Sequence, residues 1–257
     1  MAVRLAKIEP TTTGASPSEG SSSIRSRGRA ISARPIATIC CCPPDSEPAG
    51  CASFSTSAGK STLINAIAGL HRVSAGRLVF DGQDISRLAP HRFCGQGIAL
   101  VPEGRRLFTE MTVRENLEIG GYLEPRRARG RIEAILERFP VLAEKRRHAA
   151  RTLSGGQRQV LAMAMALMVE PTVLLLDEPS AGLAPLAAER LFETIADIHR
   201  EGVAIVMVEQ NALQALAIAQ RGYILVDGRN SRTGPAAALA ADPEVRRIFL
   251  GASEAAR

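Results

Sequence analysis

Tryptophan is absent from this 257-residue chain, and aromatic residues make up only 4% of it. Single-stranded nucleic acid is held on stacking platforms of such side chains, so none is expected as a partner. The net charge of +6, from 32 Lys and Arg against 26 Asp and Glu, is a mild basic excess spread over several segments. Apolar runs such as 173–176 and 204–208 are far shorter than the roughly 20 residues of a membrane-crossing helix. The five cysteines include no C-x-x-C pair, and Cys40, Cys41 and Cys42 are adjacent, with Cys51 and Cys94 apart. That spacing suits neither a zinc site nor a disulfide framework, and reduced thiols of a cytosolic protein are the plainer reading. His148 and His199 are isolated and belong to no metal constellation. The rest, 46% hydrophobic and 23% charged, is ordinary globular composition, long enough to bury a substantial core.

The chain has two unequal parts. Ala, Gly, Ser, Thr and Pro fill 29 of the first 50 positions, and no aromatic precedes Phe54. Neither helical nor strand periodicity runs through this stretch, and it lacks the apolar centre of a secretory signal. Residues 1–50 therefore read as disordered or badly packed. The nearest apolar stretch, 36–42, is followed by Pro43-Pro44 and suits a strand poorly. From about Ala58 onward, helix and strand signals alternate. Strands are expected at 97–101, 172–176 and 204–208, with a hairpin of 223–227 and 230–233 across Gly228. Helices are expected at 61–69, 130–139, 155–169, 185–200 and 211–219. Short apolar strands separated by helices imply an α/β fold whose parallel sheet is covered on both faces.

Three motifs carry chemistry. Ala58-Gly59-Lys60-Ser61-Thr62 is the second half of a phosphate-binding loop. Free N–H groups at a helix start attract an anion, Lys60 reaches the outer phosphates, and the Ser61 hydroxyl holds magnesium. The full pattern has a glycine five positions before Gly59, where Phe54 stands, and Ser55, Thr56 and Ser57 supply no glycine between. The second motif, Leu153-Ser154-Gly155-Gly156-Gln157, places a hydroxyl and bare N–H groups at the start of an apolar helix. In the third, Val173-Leu174-Leu175-Leu176-Asp177-Glu178-Pro179, four apolar residues end in two carboxylates. Asp177 then sits at the carboxyl end of a buried strand, where open α/β sheets bind ligands. There it can hold magnesium through water, and Glu178 can polarise an attacking water.

Residues 58–250 resemble the nucleotide-binding subunit of an ATP-binding cassette (ABC) transporter. The quintet from Leu153 to Gln157 is that superfamily's defining sequence, and Ser180-Ala181-Gly182-Leu183 resembles its D-loop. The resemblance implies a P-loop NTPase with a RecA-like parallel sheet over residues 51–257 and an inserted helical subdomain at about 108–169. It implies two cassettes that sandwich two ATP molecules, so that Ser154, Gly155, Gly156 and Gln157 would face the partner's nucleotide. Val101-Pro102-Glu103-Gly104-Arg105-Arg106 carries Glu103 where most cassettes have the Q-loop glutamine, and Val208-Glu209-Gln210-Asn211 carries Gln210 where most have the switch histidine. With Asn116 in Thr112-Val113-Arg114-Glu115-Asn116-Leu117, these departures resemble one ATPase subunit of bacterial branched-chain amino-acid importers. Urea importers of the same branch are similar, but typically keep glutamine at the position of Glu103.

By that resemblance Glu178 and Gln210 are the catalytic residues. Ser61, Asp177 and Glu103 are the magnesium residues, and ATP with Mg2+ the cofactors. Gln210 can hydrogen-bond the γ-phosphate or the attacking water but cannot act as an acid. The partners would be a second ABC ATPase subunit (the same chain or another), membrane permease subunits and, indirectly, a periplasmic binding protein. The place would be the cytoplasmic face of the inner membrane.

The family's front end, with its adenine-stacking aromatic, has no counterpart in residues 1–53. A reading frame shifted upstream of Ala58, a misassigned start and a genuine divergence each account for the break. Three functions stay open on the residues alone: a transport ATPase, a poorly hydrolysing partner that contributes its signature helix, and a soluble cassette of DNA repair or translation. The arginines 126, 127, 129 and 131, with Lys145, Arg146 and Arg147, read as a solvated basic face. Met163, Met165 and Met168 read as core fillers.

Overall fold

The computed structural model describes residues 36–41, 60–73, 76–226 and 229–250. Its main sheet has six strands in the spatial order β4-β5-β6-β1-β7-β8. These are β1 (Ile36–Cys41), β4 (Ile98–Val101), β5 (Val173–Asp177), β6 (Ala204–Glu209), β7 (Arg221–Val226) and β8 (Arg229–Pro235). All neighbours pair in parallel except β7 and β8, which form an antiparallel edge. A small hairpin, β2 (Val79–Phe80) with β3 (Gln83–Asp84), stands apart. Its connecting pair, Asp81-Gly82, has positive φ at both positions, the conformation that a tight two-residue hairpin turn requires.

Strand β1 corrects the sequence reading. Ile36–Cys41 lies between β6 and β7, in register from Ile36 opposite Ile205 to Cys41 opposite Leu225. The strand is described as far as Cys41, and Pro43-Pro44 lie outside the described residues. Ile36–Cys41 is thus a strand of the sheet. The rest of 1–50 lies outside the described residues.

Strand β5 shows why the apolar runs are continuous. All five of its residues are buried, and they alternate between two cores. Leu174 and Leu176 face a cluster with Leu161, Leu191 and Ile195, while Val173 and Leu175 face one with Ile64 and Phe93. Helix α1 (Lys60–Ile67) supplies Ile64 on one side. Helices α5 (Gly155–Leu167) and α6 (Pro185–Arg200) supply the others. A strand buried on both faces has no position for a polar side chain until its end. Asp177, the first polar residue of this run, is where the strand ends.

Between β4 and β5 the chain is helical: α2 (Val113–Gly120), α3 (Pro125–Arg138), α4 (Pro140–Ala143) and then α5. Helix α2 was not among the helices expected from sequence, although its start is marked by a capping box in which Thr112 and Glu115 satisfy each other's backbone N–H. Buried Asn116 organises the approach to it, accepting from Phe108 N–H and donating to the carbonyls of Phe108 and Thr112. Helix α3 begins five residues earlier than expected because Pro125 sits in its first turn, where a missing N–H costs nothing. Three more helices follow among the described residues: α7 (Ala212–Ile218), α8 (Ala236–Ala241) and α9 (Pro243–Leu250).

Helix α1 ends as the sequence predicts, near Gly69, which has a φ of +75°. A Cβ there would fall on the ring of Phe93, itself 3% exposed and unable to swing away. Gly69→Ala combines left-handed strain with overpacking. It is expected to lower stability by about 2–4 kcal/mol in urea denaturation.

Candidate nucleotide and magnesium site

The start of α1 and the carboxyl ends of β5 and β6 come together at one end of the sheet. Ser61, in the first turn of α1, donates its hydroxyl hydrogen bond to Asp177 Oδ1 over 3.3 Å, across 116 positions of sequence. Asp177 is 4% exposed, which a carboxylate tolerates only with partners. A hydroxyl beside a carboxylate is the hard-oxygen pair that magnesium takes from a protein when substrate phosphates and water complete its shell. The donor set therefore fits that ion. Glu103 stands exposed in the turn after β4, and no hydrogen bond joins it to Ser61 or Asp177 among the described residues. Ala58 and Gly59 lie outside the described residues. Lys60 opens α1, and Thr62 is exposed one turn into it.

Glu178 follows Asp177 with a φ of +45°. Left-handed backbone costs a residue with a Cβ about 1–2 kcal/mol, so the conformation must be imposed. Its N–H donates to Val208 O on β6 over 2.9 Å, which holds the turn beside the end of the neighbouring strand. Gln210 and Asn211 are exposed just past that strand end.

The last residue of β6 is Glu209, 1% exposed, a residue that the sequence reading quoted without assigning a role. Its carboxylate accepts from Ser180 N–H at 2.7 Å, from the Ser180 hydroxyl at 2.9 Å and from Asn211 N–H at 3.3 Å. Burial pushes its carboxyl pKa up, and the hydrogen bonds from Ser180 and Asn211 pull against that rise. The available signal was an acid closing a wholly apolar strand, the same pattern that singled out Asp177.

Arg105 was also missed. It follows Gly104 in a turn where both have positive φ, and its guanidinium donates to Gln159 Oε1 (3.1 Å) and to Ala181 O (2.9 Å). One side chain thereby joins the loop after β4 to helix α5 and to the turn after β5. Planar guanidinium donors suit such a two-way tie, which a lysine could not reproduce.

The glycine-rich start of α5 is built as a cap. Ser154 Oγ accepts from Gln157 N–H, and Gln157 Oε1 accepts from Ser154 N–H and from Lys145 Nζ. Gly155 and Gly156 lie against Leu183 and Ala187, so this helix start rests on the segment that follows Glu178. Gln157 is thus committed to the cap, while Ser154 remains exposed at the helix end.

A family model described as "ABC transporter" matches residues 55–181. The chain is 43% identical, over 195 residues, to the high-affinity branched-chain amino acid transport ATP-binding protein BraG of Pseudomonas aeruginosa. That alignment covers 76% of this chain and 84% of the relative. The chain belongs to the ABC transporter ATP-binding family. A probable branched-chain amino acid transport ATP-binding protein of Archaeoglobus fulgidus is 40% identical, with 75% of this chain and 83% of that protein covered. The lipopolysaccharide export ATP-binding protein of Haemophilus influenzae is 33% identical, with 76% and 82% covered. The crystal structure of a nucleotide-free ATP-binding cassette from an ABC transporter superposes with a TM-score of 0.70. It is 27% identical, with 84% of this chain and 88% of that one covered. The cassette fold, with its mostly parallel sheet and flanking helices, is therefore the fold of this chain. No helix among its described residues is long and apolar enough to cross a membrane.

Proposed function

We propose that the chain is the ATP-hydrolysing subunit of an importer of branched-chain amino acids, bound at the cytoplasmic face of the inner membrane. It would act there with a second cassette and with permease subunits, a periplasmic binding protein delivering the cargo. The observation that carries the chemistry is the meeting of Ser61 with Asp177, beside a Glu178 held in a left-handed turn. Substrate choice is supported by the higher identity to branched-chain relatives, 43% and 40%, than to the lipopolysaccharide export protein, 33%.

Lys60 and the N–H groups at the start of α1 would bind the phosphates. Ser61 and Asp177 would hold magnesium, and Glu103 would take a water of its shell. Bound magnesium supplies charge neutralisation on the phosphoryl oxygens. Glu178 takes the proton of the attacking water, and Gln210 orients that water or the γ-phosphate without exchanging a proton. Ser154, Gly155 and Gly156 would close over the nucleotide of a partner cassette.

A second reading is favoured by Phe54-Ser55-Thr56-Ser57, which replaces the glycine-bearing half of the phosphate loop. The chain would then bind nucleotide weakly and serve an intact cassette by contributing the start of α5. Mg-ATP binding to the purified Glu178→Gln chain decides between the two. Micromolar affinity is expected for the enzyme, and no binding at millimolar ATP by a folded chain would leave only the second reading.

A further inference from the structure

The turn carrying Glu178 is held by residues to which the motif comparison gives no role. A left-handed Glu178 persists only where its surroundings over-determine it. On one side, Glu178 N–H is tied to Val208 O, and Ser180 is tied through both its N–H and its hydroxyl to Glu209. On the other side, Arg105 donates to Ala181 O. Glu209 also accepts from Asn211 N–H, so its two oxygens join the turn after β5 to the segment bearing Gln210. A carboxylate is the side chain suited to this place, because the three groups bonded to it, two of Ser180 and one of Asn211, are all donors and a buried acceptor-only group satisfies them together.

We propose that Glu209 is a positioning residue of the hydrolysis site. Its carboxylate staples the 178–181 turn to the end of β6 and so fixes Glu178 and Gln210 relative to each other. The proposal rests on the ATPase reading given above. Glu209 touches no reacting atom in it and acts through the placement of two groups that do.

The variants Glu209→Ala, Glu209→Gln and Ser180→Ala separate the ties. Alanine at 209 cuts all three. Glutamine keeps an acceptor for Ser180 N–H, lets the serine hydroxyl accept from its amide, and loses the Asn211 tie. In Glu209→Ala, kcat is expected to fall about 30-fold, with Mg-ATP affinity unchanged within about twofold, because misplacing a reactive group by a fraction of an ångström costs rate rather than binding. Glu209→Gln recovers most of the loss. Adding Ser180→Ala to Glu209→Ala costs nothing further, since the hydroxyl contact it removes is already lost with Glu209. Exchange of the Ser180 amide hydrogen accelerates in Glu209→Ala, as its acceptor is gone.

A normal kcat in Glu209→Ala, a parallel loss of affinity, or additive single effects would each overturn the proposal. If Glu209→Ala does not fold, Ser180→Ala decides, through a lowered kcat at unchanged affinity or the lack of it. If the wild-type chain hydrolyses no ATP, the function assigned above falls by itself. Amide exchange at Ser180 in Glu209→Gln and Glu209→Ala then still shows whether the staple exists, and unchanged protection in both would end it.

Discussion

Glu178→Gln is expected to lower steady-state ATP turnover by about 10²- to 10⁴-fold while Mg-ATP still binds. The amide is nearly the same size as the carboxylate, so the turn and its N–H bond to Val208 are kept. What is lost is the capacity to take a proton from water, a step that phosphoryl transfer needs only as the bond to the leaving group breaks. Binding and turnover should therefore part company, which a loss of fold could not produce. Single-turnover kinetics beside equilibrium nucleotide binding measure both. Undiminished turnover would remove Glu178 from its assigned role and give the proton of the attacking water another acceptor.

Asp177→Asn should act through the cation instead. Asparagine can still accept the Ser61 hydroxyl, and the site at the end of β5 is too buried for the side chain to relocate. The lost negative charge was one half of the hard-oxygen pair, so the magnesium concentration for half-maximal turnover is expected to rise by about 100-fold. Raising magnesium should restore part of the rate in this variant and none of it in Glu178→Gln. A magnesium titration of ATPase activity that is superimposable on wild type would place the ion elsewhere.

These two substitutions, and the loss of stability expected of Gly69→Ala, concern features visible in the sequence. Strands β5 and β6 were legible because burial on both faces leaves an uninterrupted apolar run, and the first polar residue after such a run marks a sheet edge where ligands gather. Helices α5 and α6 were legible because a serine cap or a first-turn proline opens them. Helix α2 is short, and its capping box is a local pair that is easily passed over beside a longer helix. The start of α3 was hidden by arginines, which are good helix formers but carry no apolar period.

Strand β1 failed to declare itself for another reason. Five of its six residues are apolar, but what makes them a strand is the slot between β6 and β7, both distant in sequence. Strand formation is decided by neighbours more than by the segment, so a proline pair just beyond the end carries little weight.

The sequence alone determined the α/β class and the order of the chemical motifs, because each depends on local pattern or fixed spacing. Only the tertiary structure decided that Ser61 meets Asp177, that Glu178 sits in a left-handed turn, and that Glu209 and Arg105 hold that turn from two sides. Hydrogen bonds between strand ends join residues from 29 to 116 positions apart. No local pattern encodes such a meeting, because the order of the strands in the sheet is what brings them within reach.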